Sequence, residues 1–321
     1  MTTPAEVAAA AREARRRIGA RVRRTGIDRV GPLLVKAEHR QDTGSFKIRG
    51  ALAALSAHPG IPVVAASSGN HGLGVAHALS VLGGEGVVVV PRGASARKVG
   101  AIAALGVEVH EVDGDGLAAE LAARELARRT GARYVSPYND PDVVAGQATL
   151  GLELGEQFAE QGWAPPDEVV VAVGGGGLIA GVASVLAEAW PGTRVVGASP
   201  AVDAAMAASV AAGEVVAVDA GPTLSDGTAG GVEPGAITLA LCAELVDEWC
   251  LVGEADIART MRAAADAYAV VEGAAAVALA AAERRAGAGA GTVLAVSCGG
   301  NVAPKVLDRV TALSDCRWSA V

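Results

Sequence analysis

The chain has 321 residues, which is long for one simple core and predicts either two domains or one large one. Apolar residues make up 51% of the chain and charged residues 19%, so a substantial core can be buried and the composition is not that of a disordered protein. The formal net charge of −8 argues against nucleic acid as a partner.

The cysteines and the N-terminal segment narrow the class of protein further. Cys242, Cys250, Cys298 and Cys316 include no C-x-x-C pair, which argues against a zinc site and against a disulfide framework. The N-terminus has no apolar signal segment, and no apolar run reaches the roughly 18 residues that a membrane-spanning helix needs. We therefore expect a soluble, cytoplasmic protein with no membrane partner.

The first predicted elements precede a regular alternation of strands and helices. A helical pattern with arginines on one face covers 4–24, and a short strand follows at 33–38. A turn at 42–45 then leads into a helix at 46–57. The arginine-rich face is typical of a solvated helix surface rather than of a nucleic-acid or membrane site.

Strands and helices then alternate in two blocks. Strands at 63–66, 86–91 and 107–110 alternate with helices at 72–82, 94–105 and 116–129. After a helix at 147–161 the pattern restarts with strands at 168–173, 194–198 and 292–296 and with helices at 178–190, 201–212, 236–245, 254–267 and 273–285. This repetition predicts an α/β protein with parallel, doubly wound sheets.

Lys47 is a candidate covalent nucleophile. The chain has only four lysines among many arginines, and arginine stays protonated, so it cannot form a Schiff base at neutral pH. Lys47 lies in the stretch Thr43-Gly44-Ser45-Phe46-Lys47-Ile48-Arg49-Gly50-Ala51, where small residues precede a helical run. The alternative is an ordinary solvated lysine at the start of a helix.

The four consecutive glycines at 174–177 stand between a predicted strand and a predicted helix. Glycine lets backbone N–H groups approach an anion closely, and the helix N-terminus adds a favourable dipole, so the pattern predicts a phosphate site. It is neither a Walker motif nor a dinucleotide-binding G-x-G-x-x-G motif. The alternative is a tight turn between strand and helix.

Two further polar stretches follow predicted strands. Ser67-Ser68-Gly69-Asn70-His71 offers donors for a carboxylate or a phenolic oxygen, although Ser and Asn also commonly cap helices. Ser297-Cys298-Gly299-Gly300-Asn301 places a thiol at the carboxyl edge of a sheet, where ligands bind in open α/β folds. The alternative for Cys298 is a buried structural cysteine.

Together these stretches meet the needs of pyridoxal phosphate, which has an aldehyde, a phosphate, a phenolic oxygen and a pyridine nitrogen. The sequence resembles the fold-type II pyridoxal-phosphate enzymes, in particular the group of serine/threonine dehydratases and serine racemases. Besides the stretches quoted above, the resemblance rests on Gly146-Gln147, Ser225-Asp226-Gly227 and Val271-Glu272-Gly273.

The resemblance implies an architecture and a set of cofactor contacts. It implies two doubly wound open sheets, with the cofactor in the cleft between a large domain at 1–61 plus 140–321 and a small domain at 62–139. Lys47 would carry the cofactor, Phe46 would stack behind its ring, and Asn70 would bind the phenolic oxygen. The other implied cofactor contacts are Gly174, Gly175, Gly176 and Gly177 at the phosphate, Cys298 beside the pyridine nitrogen, and Leu178, Gly227 and Glu272.

The implied activity is that of an ammonia-lyase, which eliminates water from an L-β-hydroxy-α-amino acid to give a 2-oxo acid and ammonia. Lys47 would act as the base, and the substrate would contact Ser67, Ser68, Gly69, Asn70, His71 and Tyr138. Serine, threonine, 3-hydroxyaspartate and bulkier substrates all remain open, and a homodimer is the expected assembly.

Four alternatives to elimination remain. Amino-acid racemisation would use Ser68 as the second acid–base group, since the resemblance implies that this position lies on the face opposite Lys47. A β-replacement enzyme, a catalytically inactive ligand sensor and a dinucleotide-dependent dehydrogenase are the others. No metal site is expected, because Ser199 and Ala205 stand where several relatives have acidic cation ligands and only Asp203 is nearby.

Overall fold

The computed structural model describes residues 2–311, so Cys316 lies outside the described residues. The helices are α1 Pro4–Ile18, α2 Lys47–Ala57, α3 Asn70–Leu82, α4 Ala96–Ala103, α5 Gly116–Thr130, α6 Pro141–Gln161, α7 Gly177–Ala189, α8 Ala205–Ala212, α9 Ile237–Leu245, α10 Glu254–Ala267, α11 Gly273–Gly287 and α12 Pro304–Thr311. The strands are β1 Ile27–Val30, β2 Leu33–Lys36, β3 Val63–Ala66, β4 Gly86–Pro91, β5 Glu108–Val112, β6 Arg133–Tyr134, β7 Glu168–Ala172, β8 Arg194–Pro200, β9 Glu248–Val252 and β10 Val293–Val296. Short 3₁₀ turns cover Gly19–Arg21 and Glu38–Arg40.

The strands form two separate sheets, which confirms the predicted α/β class. A six-stranded sheet has the order β1-β2-β10-β7-β8-β9, and a four-stranded sheet has the order β5-β4-β3-β6. All pairings are parallel except that of β1 with β2, which is antiparallel. The loops after parallel strands therefore gather at one edge of each sheet, where α/β proteins bind their ligands.

The six-stranded sheet lies at the centre of the larger core. Strands β7 and β10 are buried along their whole length, as expected of parallel strands that are covered on both faces. Helix α11 packs on this sheet with a run of buried alanines that includes Ala274, Ala278 and Ala282. Small side chains let the helix lie close to the strands, and close packing of this kind fixes the positions of the strand ends.

The four-stranded sheet has smaller apolar clusters on its two faces. Val64 and Val89 face helix α5, where they pack with Ala119 and Ala123. Their neighbours on the opposite face pack in separate clusters with α3 and α4, which include Ile102. The alternation of buried contacts on both faces shows the expected doubly wound arrangement.

The boundaries of several elements differ from the predictions, for local reasons. Helix α1 ends at Ile18 instead of residue 24. Helix α6 begins at Pro141 instead of residue 147, because Asp140 caps the backbone N–H groups of the first turn and proline suits that position. The sequence patterns also missed β1, β6, β9 and α12, which are short or carry charged residues. Within residues 2–311, the helices include none with the length and hydropathy of a membrane span.

Candidate active site

A cavity of about 560 Å³ lies where the carboxyl ends of strands from both sheets meet. The loops after β3, β7 and β10 and the last residue of β4 all contribute to its wall. The predicted site residues at this cavity are Phe46, Lys47, Ser67, Ser68, Gly69, Asn70, His71, Tyr138, Gly174, Gly175, Gly176, Gly177, Leu178, Gly227, Glu272 and Cys298. The structure thus brings every predicted site residue to one cavity.

Lys47 is the first residue of α2, and its amine reaches into the cavity. Its Nζ donates a hydrogen bond to the backbone carbonyl of Pro137 at 3.0 Å and lies 5.2 Å from the centre of the Phe46 ring. Burial lowers the pKa of Lys47 to about 8, although Cys298 and Glu272 oppose this shift. The lowered pKa increases the fraction of neutral amine near neutral pH, and a nucleophile or a base must be neutral to act.

The glycines at 174–177 form a turn that leaves no room for side chains. A β-carbon on Gly174 would lie 2.8 Å from the carbonyl oxygen of Thr228, and one on Gly175 would overlap the ring of Tyr138. Gly176 has a φ of +83°, which L-residues rarely adopt. Gly177 begins α7, so backbone N–H groups and the helix dipole face a concave surface that fits a phosphate.

The loop at 67–71 connects β3 to α3 and is held by its own hydrogen bonds. Ser67 Oγ accepts a hydrogen bond from the N–H of Gly69 at 3.1 Å. The capping alternative is wrong for Ser68, since α3 has Gly69 at its N-cap without a side-chain cap. Ser68 lines the cavity, and its hydroxyl has no hydrogen-bond partner among residues 2–311.

His71 is fixed as a neutral ring. Its Nε2 lies 2.8 Å from the carbonyl oxygen of Val135, and burial together with the nearby Lys47 lowers its pKa to about 3. A neutral imidazole of this kind donates to the carbonyl and positions the loop, but it does not supply a positive charge for a substrate carboxylate.

Asn70 is held by a chain of side-chain hydrogen bonds that the sequence did not reveal. Its Nδ2 donates to both carboxyl oxygens of Glu272, at 2.8 and 2.9 Å, and its Oδ1 accepts from Asn301 Nδ2 at 2.7 Å. A β-carbon on Gly299 would overlap Glu272 Oε1, so a glycine is needed there. Burial raises the pKa of Glu272 to about 7.

Cys298 is a buried thiol at the cavity, and Tyr138 packs against the glycine turn. Burial, reinforced by Glu272, raises the pKa of the Cys298 thiol well above its ordinary value, so the thiol stays neutral. The Tyr138 hydroxyl accepts a hydrogen bond from the backbone N–H of Glu233 at 2.9 Å, while its ring covers Gly175. Tyr138 therefore forms a wall of the glycine turn.

Arg97 and Lys98 are charged residues at the cavity that the sequence analysis did not single out. Lys98 Nζ on α4 donates to Asp226 Oδ2 at 3.0 Å, which connects the helix beside the four-stranded sheet to the segment 225–227. The Ser225-Asp226-Gly227 stretch was recognised from the sequence, but its partner on α4 was not. The pairing depends on how the two sheets are placed, which no local pattern encodes.

The residues present fit pyridoxal phosphate. The glycine turn offers a cradle that any side chain would fill, the Lys47 amine suits an aldehyde, and the buried Cys298 thiol and Asn70 amide offer polar groups. Residues 2–311 contain no group of three or more His, Cys, Asp or Glu side chains placed to hold a metal ion. The absence of a metal requirement remains a prediction.

Comparisons with known proteins agree with this geometry. The family described as pyridoxal-phosphate dependent enzyme matches residues 18–299. The catabolic L-threonine dehydratase of Escherichia coli (strain K12) is 39% identical over 283 residues, which cover 84% of each protein. The L-threonine ammonia-lyase of Thermotoga maritima is 39% identical over 285 residues, which are 87% of this chain and 70% of that protein.

Solved structures give the same result. A threonine deaminase from T.th. superposes with a TM-score of 0.86 at 34% identity, over 92% of this chain and 98% of that one. Maize serine racemase superposes with a TM-score of 0.86 at 31% identity, over 94% of this chain and 95% of that one. The chain therefore belongs to the pyridoxal-phosphate dependent enzymes, and pyridoxal phosphate is its cofactor.

Proposed function

We propose that the protein is an ammonia-lyase that removes water from an L-β-hydroxy-α-amino acid of the serine or threonine type. The carrying observation is the half-buried Lys47 amine with its lowered pKa, placed in one cavity with the glycine turn at 174–177. The similarity to threonine dehydratases supports elimination as the reaction. The products are a 2-oxo acid and ammonia.

Different residues of the chain would bind different parts of pyridoxal phosphate. When bound, pyridoxal phosphate supplies an aldehyde that joins Lys47 and a ring that withdraws electrons from the substrate. The N–H groups of the glycine turn would hold the phosphate, and Asn70 would present an amide that Glu272 and Asn301 fix. A neutral thiol at Cys298 would offer the pyridine nitrogen no carboxylate partner, which would disfavour transamination and suit elimination.

Proton transfer falls to Lys47. The N–H groups and hydroxyls of the loop at 67–71, at the N-terminus of α3, bind the substrate carboxylate. Lys47, displaced from the aldehyde by the substrate amine, would take the α-proton at its Nζ. The β-hydroxyl would leave as water with one proton, which balances the α-proton that Lys47 removes. Hydrolysis of the released enamine consumes one water and yields the 2-oxo acid and ammonia, so the overall reaction is balanced.

The change Lys47→Ala tests this proposal directly. We expect the variant to fold and to lose turnover, because the lysine is both the attachment point and the base. Formation of 2-oxo acid from L-serine, L-threonine and 3-hydroxyaspartate is followed for both proteins, and the same series identifies the substrate. Elimination that persists in Lys47→Ala would remove Lys47 from its role.

Racemisation is the second candidate activity. It is supported by the Ser68 hydroxyl, which lines the cavity and has no partner in the described part of the chain. It is supported also by the similarity to maize serine racemase. A hydroxyl that is free to face the substrate is available as a second acid–base group, which racemisation requires.

Three further features belong to this proposal. We propose that the four-stranded sheet and its helices form a small domain at 62–139, with 1–61 and 140–321 as the large domain, and that the cofactor lies between them. We also propose a cytoplasmic location and a homodimer. Gel filtration coupled to light scattering measures the oligomeric state.

A further inference from the structure

A cluster of buried charges lies behind the helix that carries Lys47. The side chains of Lys36, Glu38, Arg49 and Glu153 are all 0% exposed. Burying a charge is costly unless the group is paired and hydrogen-bonded, and apolar residues often fill such a space equally well. The charges of these two cations and two anions cancel, and the four side chains hold one another in a fixed geometry.

Arg49 forms the most specific contacts of the cluster. Its Nε donates to Glu38 Oε2 at 2.7 Å, and its Nη2 donates to Glu38 Oε1 at 2.8 Å, which is a two-pronged pairing. The same Nη2 donates to Glu153 Oε2 at 3.0 Å, and Nη1 reaches Thr149 Oγ1 at 3.3 Å. A planar guanidinium held on two sides has one orientation, whereas an ammonium group would not be fixed in this way.

The cluster extends from Glu153 to the residues before β1. Glu153 Oε1 accepts from Lys36 Nζ at 2.6 Å and from the backbone N–H of Thr25 at 3.0 Å. Lys36 also donates to the Thr25 carbonyl at 2.8 Å and to Gln157 Oε1 at 2.8 Å. The network therefore connects β2, α2 and α6 through polar contacts in the interior of the molecule.

Arg49 connects the buried charge cluster to the backbone of the first turn of α2. Lys47 begins the helix, and the N–H of Arg49 donates to the carbonyl of Phe46 at 3.0 Å. The N–H of Phe46 in turn donates to the carbonyl of Cys298 at 3.0 Å. On the side of α3, a β-carbon on Gly74 would lie only 3.2 Å from the Lys47 carbonyl, so little space is left for the turn to shift.

We infer that Arg49 is a positioning residue, which acts through the backbone of α2 to aim the Lys47 amine into the cavity. This inference rests on the proposed function, because it assigns importance to the direction of Lys47. Arg49 itself does not line the cavity, and its contact with the cavity residue Phe46 is through the backbone, so we expect loss of its two-pronged pairing to change the chemical step rather than substrate binding.

The variant Arg49→Lys keeps the charge and removes the planar fork. We expect kcat to fall by roughly ten- to a hundredfold with KM nearly unchanged, since small misplacements of a catalytic group have effects of this size. A second readout uses the cofactor-free protein, in which the rate of pyridoxal-phosphate capture by Lys47 falls in parallel. The absorbance of the lysine-bound cofactor measures that rate without any substrate.

A matched control is Arg24→Lys. Arg24 lies on the surface, and its Nη2 donates to both carboxyl oxygens of Glu160 on α6, at 2.7 and 2.8 Å. We expect it to leave kcat, KM and the capture rate unchanged.

The double variant Glu38→Gln with Arg49→Met removes one anion and one cation together, so the remaining Lys36–Glu153 pair stays balanced. If Arg49→Lys does not fold, this double variant tests the inference in its place. We expect the double variant to capture pyridoxal phosphate as slowly as we predict for Arg49→Lys.

The outcomes separate this inference from the proposed function. Variants that lower the thermal midpoint but retain the parent's kcat and capture rate would show that Arg49 only stabilises the fold, which overturns the inference. A rise in KM without a change in kcat would overturn it as well. If the parent forms no 2-oxo acid from any of the β-hydroxy-α-amino acids L-serine, L-threonine and 3-hydroxyaspartate, the proposed function itself fails, whatever the capture rates of the Arg49 variants.

Discussion

The two sheets reach the same cavity with very different degrees of burial. Strands β7 and β10 of the six-stranded sheet are fully buried, and they lead directly into the glycine turn and Cys298. Strand β5 of the four-stranded sheet has no fully buried residue, and helix α4 beside it buries only Ile102. Elements with few buried apolar contacts have lower local stability, so the four-stranded side has more freedom to adjust.

This difference indicates which side of the cavity suits the cofactor and which side suits the substrate. The buried strand ends fix the positions of the groups that follow them, which suits the binding of a cofactor. The four-stranded sheet carries the loop at 67–71 between β3 and α3, and loops of this kind suit a substrate that must enter and leave. The two sides are tied together by the pair of Lys98 with Asp226 and by Asn70, which Glu272 and Asn301 hold from the other sheet.

A change on the six-stranded side should therefore affect the cofactor most. In Gly174→Ala the new methyl group would lie 2.8 Å from the Thr228 carbonyl, so the turn must shift. We expect the dissociation constant for pyridoxal phosphate to rise roughly ten- to a hundredfold, from the usual cost of overpacking. Equilibrium dialysis with the cofactor-free protein measures it.

Gly155→Ala is the matched control for this change. Gly155 lies within α6, where an added β-carbon meets nothing within 4 Å. We expect cofactor affinity to stay at the parent's value and helix stability to rise slightly. If Gly174→Ala holds the cofactor as tightly as the parent, the phosphate does not lie at the glycine turn.

The same division explains what the sequence could and could not predict. The strand β7, the glycine turn and α7 are adjacent in the chain, so their arrangement followed from a local pattern. The hydrogen bond between Asn301 and Asn70 joins residues 231 positions apart and depends on the relative placement of the two sheets. No periodicity or turn signal encodes such a contact.

Lys36 shows the same limit in the core. A lysine in a short strand is usually expected to reach solvent, and nothing near Lys36 in the sequence indicates otherwise. It is fully buried because Glu153, which is 117 residues away, supplies the opposite charge. The site residues were predicted because family motifs carried them, whereas the buried network behind Lys47 was not.

The pH dependence of cofactor capture by Lys47 tests whether the cavity lowers the pKa of this amine. Burial lowers the pKa of Lys47 to about 8, and only the neutral amine attacks an aldehyde. We therefore expect the capture rate of the cofactor-free protein to rise with pH, with a midpoint near 8, and to level off above it. Stopped-flow absorbance across a pH series measures this profile.

Glu272→Gln provides the internal check on that profile. The negative charge of Glu272 raises the pKa of Lys47, so its removal shifts the midpoint to lower pH. The amide oxygen of glutamine still accepts one of the two hydrogen bonds that Asn70 donates to Glu272, while the other is lost. A midpoint that stays near the ordinary lysine value in the parent would contradict the desolvated environment of Lys47.

The smallest effect on elimination is expected on the four-stranded side, at Ser68. Its hydroxyl lines the cavity without a hydrogen-bond partner in the described chain, so its loss removes no structural contact. Chiral chromatography of reactions with L-serine measures the D-enantiomer that the parent and Ser68→Ala form. Ser67→Ala is the control, since Ser67 Oγ is engaged with the N–H of Gly69.

If Ser68 returns a proton to the second face of the substrate, Ser68→Ala abolishes D-serine formation while elimination continues, because only racemisation needs two acid–base groups. Removal of such a group typically costs about 10²–10⁴-fold in the step that it serves, so the loss is measurable even for a minor activity. Ser67→Ala then lowers both reactions together through weaker substrate binding. A parent enzyme that forms no D-serine would restrict Ser68 to a substrate contact and leave elimination as the single activity, with Lys47 as its only base.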